Sequence, residues 1–214
     1  MYKAVIFDFD YTLGDSTNGI VLSVNYALGE MYYMEKSVSE IRRMIGLSLK
    51  DTFRELTGCL DESAAERFAK LFREKADEVM TDNTVLYDAT QDMLSEFKRR
   101  GIETGIVTTK FHYRIEAILR KFGAEDLIDV IVGGEDVTCE KPDPEGLLKA
   151  VETLGRDKQD VLYVGDSLVD AKTAQSAGVD FAAVLTGTTK DFSDYYNAVI
   201  ADDLHGILCF VTKI

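Results

Sequence analysis

The first apolar run of the chain, Lys3-Ala4-Val5-Ile6-Phe7, gives way to two aspartates on alternate positions, Asp8 and Asp10, and then to a turn-like polar stretch. An apolar run of this length, bounded by turn residues, predicts a strand buried on both faces. After Ser16 the pattern changes. Residues 20–34, 38–44, 49–56 and 64–80 carry apolar positions at helical spacing. Ser37 with Glu40 forms a candidate capping box, and Asp61 is placed to cap the last of these helices. From about Thr84 helix and strand alternate: helices over 88–99, 113–122, 144–154 and 168–177, with strands over 104–107, 130–132, 161–164 and 181–184. A short helix over 204–208 follows. Glycine follows nearly every helix, as a left-handed C-cap requires.

Repeated β-α units with apolar strands predict an α/β fold: a Rossmann-like parallel sheet with helices on both faces. Four helices are inserted after the first strand. The expected division is a core of residues 1–15 and 82–214 and a helical insertion of residues 16–81. The crossings near Gly14–Gly19 and Thr81–Thr84 are candidate hinges.

The 214 residues are 46% hydrophobic and 29% charged, the balance of a globular chain. A formal net charge of −14 argues against nucleic acid or an anionic membrane surface as partner. Cys59, Cys139 and Cys209 are widely spaced and lack a C-x-x-C pair, which points to a reduced chain without thiolate metal ligands. No apolar run approaches membrane-spanning length and no leader-like start is present, so the expected location is cytoplasmic.

Four polar groups fall at predicted strand ends: Asp8 and Asp10; Thr108, Thr109 and Lys110; Lys141 in the loop after Gly134; and Asp166 with Asp170. In a parallel sheet these ends share one edge, where ligands bind. Paired carboxylates there are costly unless a cation lies between them, and Mg²⁺ with a phosphate suits such oxygen ligands. Singly, each group has an ordinary reading. Asp10 or Asp170 could cap a turn or helix, Thr108 could end a strand, and Pro142 and Pro144 could shape a loop around a solvated Lys141. Their joint order is much harder to dismiss.

DFDYTLGDS, TTK, KPDP and GDSLVD together resemble the four motifs of the haloacid dehalogenase superfamily, in its phosphatase branch with a helical cap. The likeness spans essentially the whole chain. It implies that Asp8 is a nucleophile forming an aspartyl-phosphate and that Asp10 is the acid and base, its carbonyl also a metal ligand. It further implies that Thr108 binds a phosphate oxygen and Lys141 masks charge. Asp8, Asp10 and Asp166 would then hold Mg²⁺, with Asp170 behind them as an orienter or acting through water.

Tyr11 stands where the family usually has glycine; its hydroxyl could line the cleft, but the ring is expected to pack outward. Gly14 stands where a bulkier apolar residue is common in the family, and it is expected to loosen the hinge. Asp15 and Ser16 are expected to set the turn into the cap. His112 is expected to cap or face solvent, and neither it nor His205 has a partner legible in sequence. The stretch Ile41 to Leu49 resembles the cap of phosphoglycolate phosphatase-like members, and Arg42 or Arg43 could reach a second anionic group.

Ile20 stands where the phosphomutases carry histidine. Asp10 is absent from dehalogenases, and neither Lys36 nor Lys50 is marked as a buried phosphonatase lysine. The expectation is a Mg²⁺-dependent phosphatase of small phosphorylated metabolites, monomeric or weakly dimeric. Phosphoryl transfer by a sugar phosphomutase, pyrophosphate hydrolysis and a non-enzymatic phosphate-binding regulatory module are the alternatives.

Overall fold

The computed structural model describes residues 2–195 and 198–213. In chain order the elements are β1 (Ala4–Phe7), β2 (Gly14–Asp15), α1 (Thr17–Glu30), α2 (Val38–Arg42), α3 (Leu49–Thr57) and α4 (Glu62–Val79). They continue with β3 (Val85–Leu86), α5 (Ala89–Arg99), β4 (Glu103–Val107), α6 (His112–Phe122), β5 (Val130–Val132) and α7 (Glu145–Thr153). The last are β6 (Val161–Gly165), α8 (Leu168–Ala177), β7 (Asp180–Val184), β8 (Val199–Ala201) and α9 (Leu204–Lys213). The chain forms two compact units, residues 1–15 with 86–214, and residues 16–85.

In the first unit six strands form one sheet in the order β5-β4-β1-β6-β7-β8, every pair parallel. Alternate side chains of each strand feed two cores. Val5 and Phe7 of β1, with Leu162 and Val164 of β6, face α5, α6 and α9. Ala4 and Ile6, with Val161 and Tyr163, face α7 and α8. Burial on both faces explains why these strands read as unbroken apolar runs.

From β1 the chain proceeds to β4 on one side, whereas from β6 it proceeds to β7 on the other. The loops after β1 and β6 therefore part in opposite directions and leave a crevice at the carboxyl edge, the usual ligand position in such sheets. The pairing of Phe7 with Val164 sets Asp8 beside Gly165, and the Asp8 amide extends the ladder to the Val164 carbonyl at 2.8 Å.

The second unit contains α1 to α4 around Phe53, Phe68 and Phe72, with Tyr33 edge-on to Phe53 at 5.5 Å. Two of its helices, α2 and α4, start at the caps the sequence predicts. Ser37 and Glu40 form the capping box, and Asp61 accepts from the amides of Ser63 and Ala64. Thr84 donates to Ser16 at 2.9 Å within this unit. Gly123 and Gly178 end α6 and α8 in the left-handed conformation that the sequence pattern predicts.

β2, β3 and β8 are not visible in the apolar pattern. The first two have two residues each, too few to show alternation, and β8 is a three-residue strand at the sheet edge. α9 runs to Lys213, well beyond the expected 208, because Leu204, Ile207 and Val211 continue one buried helical stripe.

Candidate active site

β1, β4 and β6 lie side by side in the sheet and deliver their carboxyl ends to the same edge. Asp8 is in register with the residues that face α7 and α8, and it is 3% exposed. The loop between β5 and α7 brings Lys141 to it: the Lys141 ammonium lies 2.8 Å from Asp8 Oδ1 and 2.7 Å from Asp170 Oδ1. The peptide bond between Lys141 and Pro142 is cis.

Asp170 is fully buried in the first turn of α8. Its Oδ1 accepts from Lys141 and, at 3.0 Å, from the Tyr163 hydroxyl; its Oδ2 accepts from the Ser167 amide and hydroxyl. With both oxygens engaged, this carboxylate fixes Lys141 and caps its own helix. Gly165 makes that approach possible, since a Cβ there would stand 2.4 Å from Asp170 Cβ.

Asp166 is buried beside them, and Asp8, Asp166 and Asp170 each present a carboxylate oxygen within 4.8 Å of the others. The loop after β7 closes against it. A Cβ on Gly187 would come within 1.8 Å of Asp166 Oδ2, so only glycine permits this contact.

The electrostatics follow from this crowding. Burial pushes Asp8 up to about 7, opposed by Lys141 and reinforced by Asp170 and Asp10. Burial, then Asp170 and Asp8, push Asp166 up to about 9. Burial disfavours the Lys141 ammonium, but Asp170 and Asp8 outweigh it and hold the group well above its ordinary value. Burial and Asp170 likewise raise the Tyr163 phenol far above its usual range.

Asp10 does not join the acidic triad through its side chain. Its Oδ2 pairs with Lys110 at 3.1 Å, while its buried Oδ1 has no hydrogen-bond partner among the described residues. Thr108 is buried at the end of β4, its hydroxyl oxygen accepting from the Lys110 amide at 3.2 Å. Arg42 and Arg43 are exposed residues of the helical unit. Lys50 of that unit is held by Glu62 and Glu66, which raise its pKa, the reverse of what a Schiff-base lysine needs.

Two expectations change. Tyr11 does not pack outward: it is 1% exposed, in the left-handed region at φ 61°. Its amide donates to the Gly14 carbonyl at 2.7 Å and its own carbonyl accepts from the Thr186 hydroxyl. Pinned on both sides, the backbone turns the ring inward at a conformational cost of roughly 1–2 kcal/mol. His112 does have a partner, Asp136 Oδ2 at 2.9 Å from its Nδ1, which ties the start of α6 to the turn after β5.

Sequence reasoning passed over Tyr163, the Lys110–Asp10 pair and the Thr186-Gly187 loop. Tyr163 sits inside an apolar strand and reads as core, and neither Thr186 nor Gly187 carries a charge. Lys110 was visible as a strand-end residue but showed no partner.

The haloacid dehalogenase-like hydrolase family model matches residues 5–184. Pyrophosphatase PpaX of Bacillus pumilus is 34% identical over 182 residues, covering 85% of this chain and 82% of that protein. A structure from Bacteroides fragilis, designated a haloacid dehalogenase-like hydrolase, superposes with a TM-score of 0.89 at 41% identity, covering 94% of this chain and 97% of that one. A predicted phosphoglycolate phosphatase from Haemophilus somnus superposes at 0.87 with 25% identity, covering 98% of both chains.

Proposed function

The chain belongs to the haloacid dehalogenase-like hydrolases, and from that premise we propose that it hydrolyses small phosphomonoesters with Mg²⁺, through a phosphoryl group carried briefly on Asp8. It is a phosphatase-type enzyme. The observation that carries the reading is one buried cluster in which Asp8, Asp166 and Asp170 bring carboxylate oxygens within 4.8 Å of one another, with the Lys141 ammonium paired to Asp8 and Asp170.

The donor set fits a divalent cation. Asp8, Asp10, Asp166 and Asp170 supply four carboxylates against the ammoniums of Lys110 and Lys141, so one divalent ion brings the group to neutrality. All-oxygen donors suit Mg²⁺; burial, reinforced by neighbouring carboxylates, pushes Asp8 and Asp166 up, and a cation held there would favour their ionised forms. Asp8 and Asp166 would hold the ion, with the Asp10 carbonyl as a further ligand. Asp170 is committed to Lys141, Tyr163 and Ser167 and stands behind them. Bound there, Mg²⁺ supplies charge neutralisation for the phosphoryl oxygens.

The protein's own groups then divide the work. Ionised Asp8 attacks phosphorus, forming an O–P bond as the bridging P–O bond breaks. Asp10 gives its proton to the departing oxygen. In the second half Asp10 takes a proton from water, whose oxygen attacks phosphorus and releases orthophosphate and Asp8. Lys141 holds Asp8 ionised and steadies the phosphoryl charge, and the Thr108 hydroxyl retains its proton for a phosphoryl oxygen.

Pyrophosphate is the second reading, favoured by the 34% identity to a pyrophosphatase. Phosphate release from a panel containing phosphoglycolate, sugar phosphates and pyrophosphate tests both. Release that requires Mg²⁺ supports the hydrolase reading, and the preferred compound separates ester from anhydride. Stoichiometric transfer to a second hydroxyl, without phosphate release, would refute it.

A further inference from the structure

We propose that Lys110 is a specificity residue that receives a second anionic group carried by the leaving group of the substrate. The inference rests on the hydrolase reading and narrows its substrate class to compounds with an anionic oxygen close to the scissile bridge, whether phosphate or carboxylate.

Lys110 follows Thr108 by two residues, and its backbone is fixed at both ends. Its amide donates to Thr108, and its carbonyl accepts from the Gly134 amide at 3.1 Å. The side chain turns inward and is 5% exposed, with the ammonium 3.1 Å from Asp10 Oδ2 and 6.0 Å from the centroid of the Phe9 ring. An ammonium has three N–H donors. Among the described residues Asp10 is its polar partner, so the buried cation keeps donating capacity. The pair is open at its other end too, because Asp10 Oδ1 is buried and, among the described residues, unpartnered. A desolvated polar pair left incomplete at both ends is costly in a finished core. At a reaction centre, the group that completes it is a ligand.

Position decides which part of the ligand that is. Lys141 spends its donors on Asp8, Asp170 and Tyr163, the side from which phosphorus is attacked. Lys110 instead stands against Asp10, the residue assigned to protonate the leaving oxygen. A cation there meets the leaving group, and an anionic oxygen near the bridge fills the free donors that a neutral alcohol leaves empty. Pyrophosphate and phosphorylated hydroxy acids have that form, whereas simple alkyl phosphates do not.

The rival explanation is that Lys110 only positions Asp10. Binding measurements separate the two, because an inert inhibitor needs no proton from Asp10. Direct binding of methylenediphosphonate, with two anionic ends, is measured by titration calorimetry in the presence of Mg²⁺ and compared with that of methylphosphonate, with one. The wild-type protein is expected to bind the first at least ~10-fold more tightly, the scale of a charged hydrogen bond in a desolvated site. Lys110→Gln is expected to lose most of that preference and Lys110→Arg to keep part of it. In turnover, kcat/KM of Lys110→Gln should fall further for pyrophosphate and phosphoglycolate than for ethyl phosphate. Equal affinity of wild type for the two inhibitors overturns the inference whether or not any variant folds, as does a uniform loss across both. Failure of the wild type to hydrolyse any of the three substrates, with inhibitor preference intact, would instead sink the hydrolase reading.

Discussion

Lys141 and Tyr163 show how much of this site is decided by contacts between distant residues. Lys141 touches two carboxylates 133 positions and 29 positions away in sequence, and the Tyr163 phenol completes its shell. Lys141→Met is expected to lower kcat by about 10²–10³, the usual effect of deleting one donor for developing charge, measured by phosphate release at saturating substrate. Tyr163→Phe removes the hydroxyl that bonds Asp170 and Lys141 but leaves the ring; it should cost about 1 kcal/mol in denaturant unfolding and lower kcat less than Lys141→Met. Asp8, Asp10 and Asp166 were legible because they follow apolar runs, and Asp170 because it shares the short motif that Asp166 opens. Tyr163 was not, because a tyrosine within such a run looks like core and only the facing α8 turns its hydroxyl into a partner. Tyr11 misled for a related reason. Its direction is set by the backbone bonds to Gly14 and Thr186, and the second of these is contributed from far along the chain.

At the scale of elements, period and caps carried most of the information. Short apolar runs, helical stripes and glycines after helices located the long strands and helices, because each signal comes from burial or backbone geometry within the element itself. The short strands β2, β3 and β8 depend on neighbours for definition and left no such trace. The parallel sheet then brings the strand ends to one edge without any local signal at all. The loop after β7 is the least legible contributor, since its contact with Asp166 depends on a missing side chain. Gly187→Ala should displace Asp166 and raise the Mg²⁺ concentration required for half-maximal activity by ~10–100-fold, read from metal titration of phosphate release. In the helical unit, Phe68→Ala should cost about 3–5 kcal/mol of stability in denaturant unfolding, since the ring is fully buried between Phe53 and Phe72.

For the whole molecule, charge governs both stability and substrate access. A net charge of −14 repels an anionic substrate at long range, so local cations at the sheet edge must hold it. Among the described residues no helix is long and apolar enough to cross a membrane. The same crowding makes stability depend on pH. Asp8 and Asp166 release their protons near pH 4 when unfolded but only near 7 and 9 when folded, so the folded chain binds more protons across that window. Metal-free protein should therefore lose thermal stability as pH rises from 5 to 9, and the gain in Tm on adding Mg²⁺ should grow over the same range. A Tm gain independent of pH would contradict the placement of the ion at these carboxylates.

The most direct test of the account is Mg²⁺-dependent phosphate release by the wild-type protein and by Asp8→Asn, side by side with unfolding curves for both. The prediction is release by wild type that chelation abolishes, and loss of turnover below about 10⁻³ of wild type in a folded Asp8→Asn protein. Activity persisting in folded Asp8→Asn would contradict the claim that the phosphoryl group passes through Asp8.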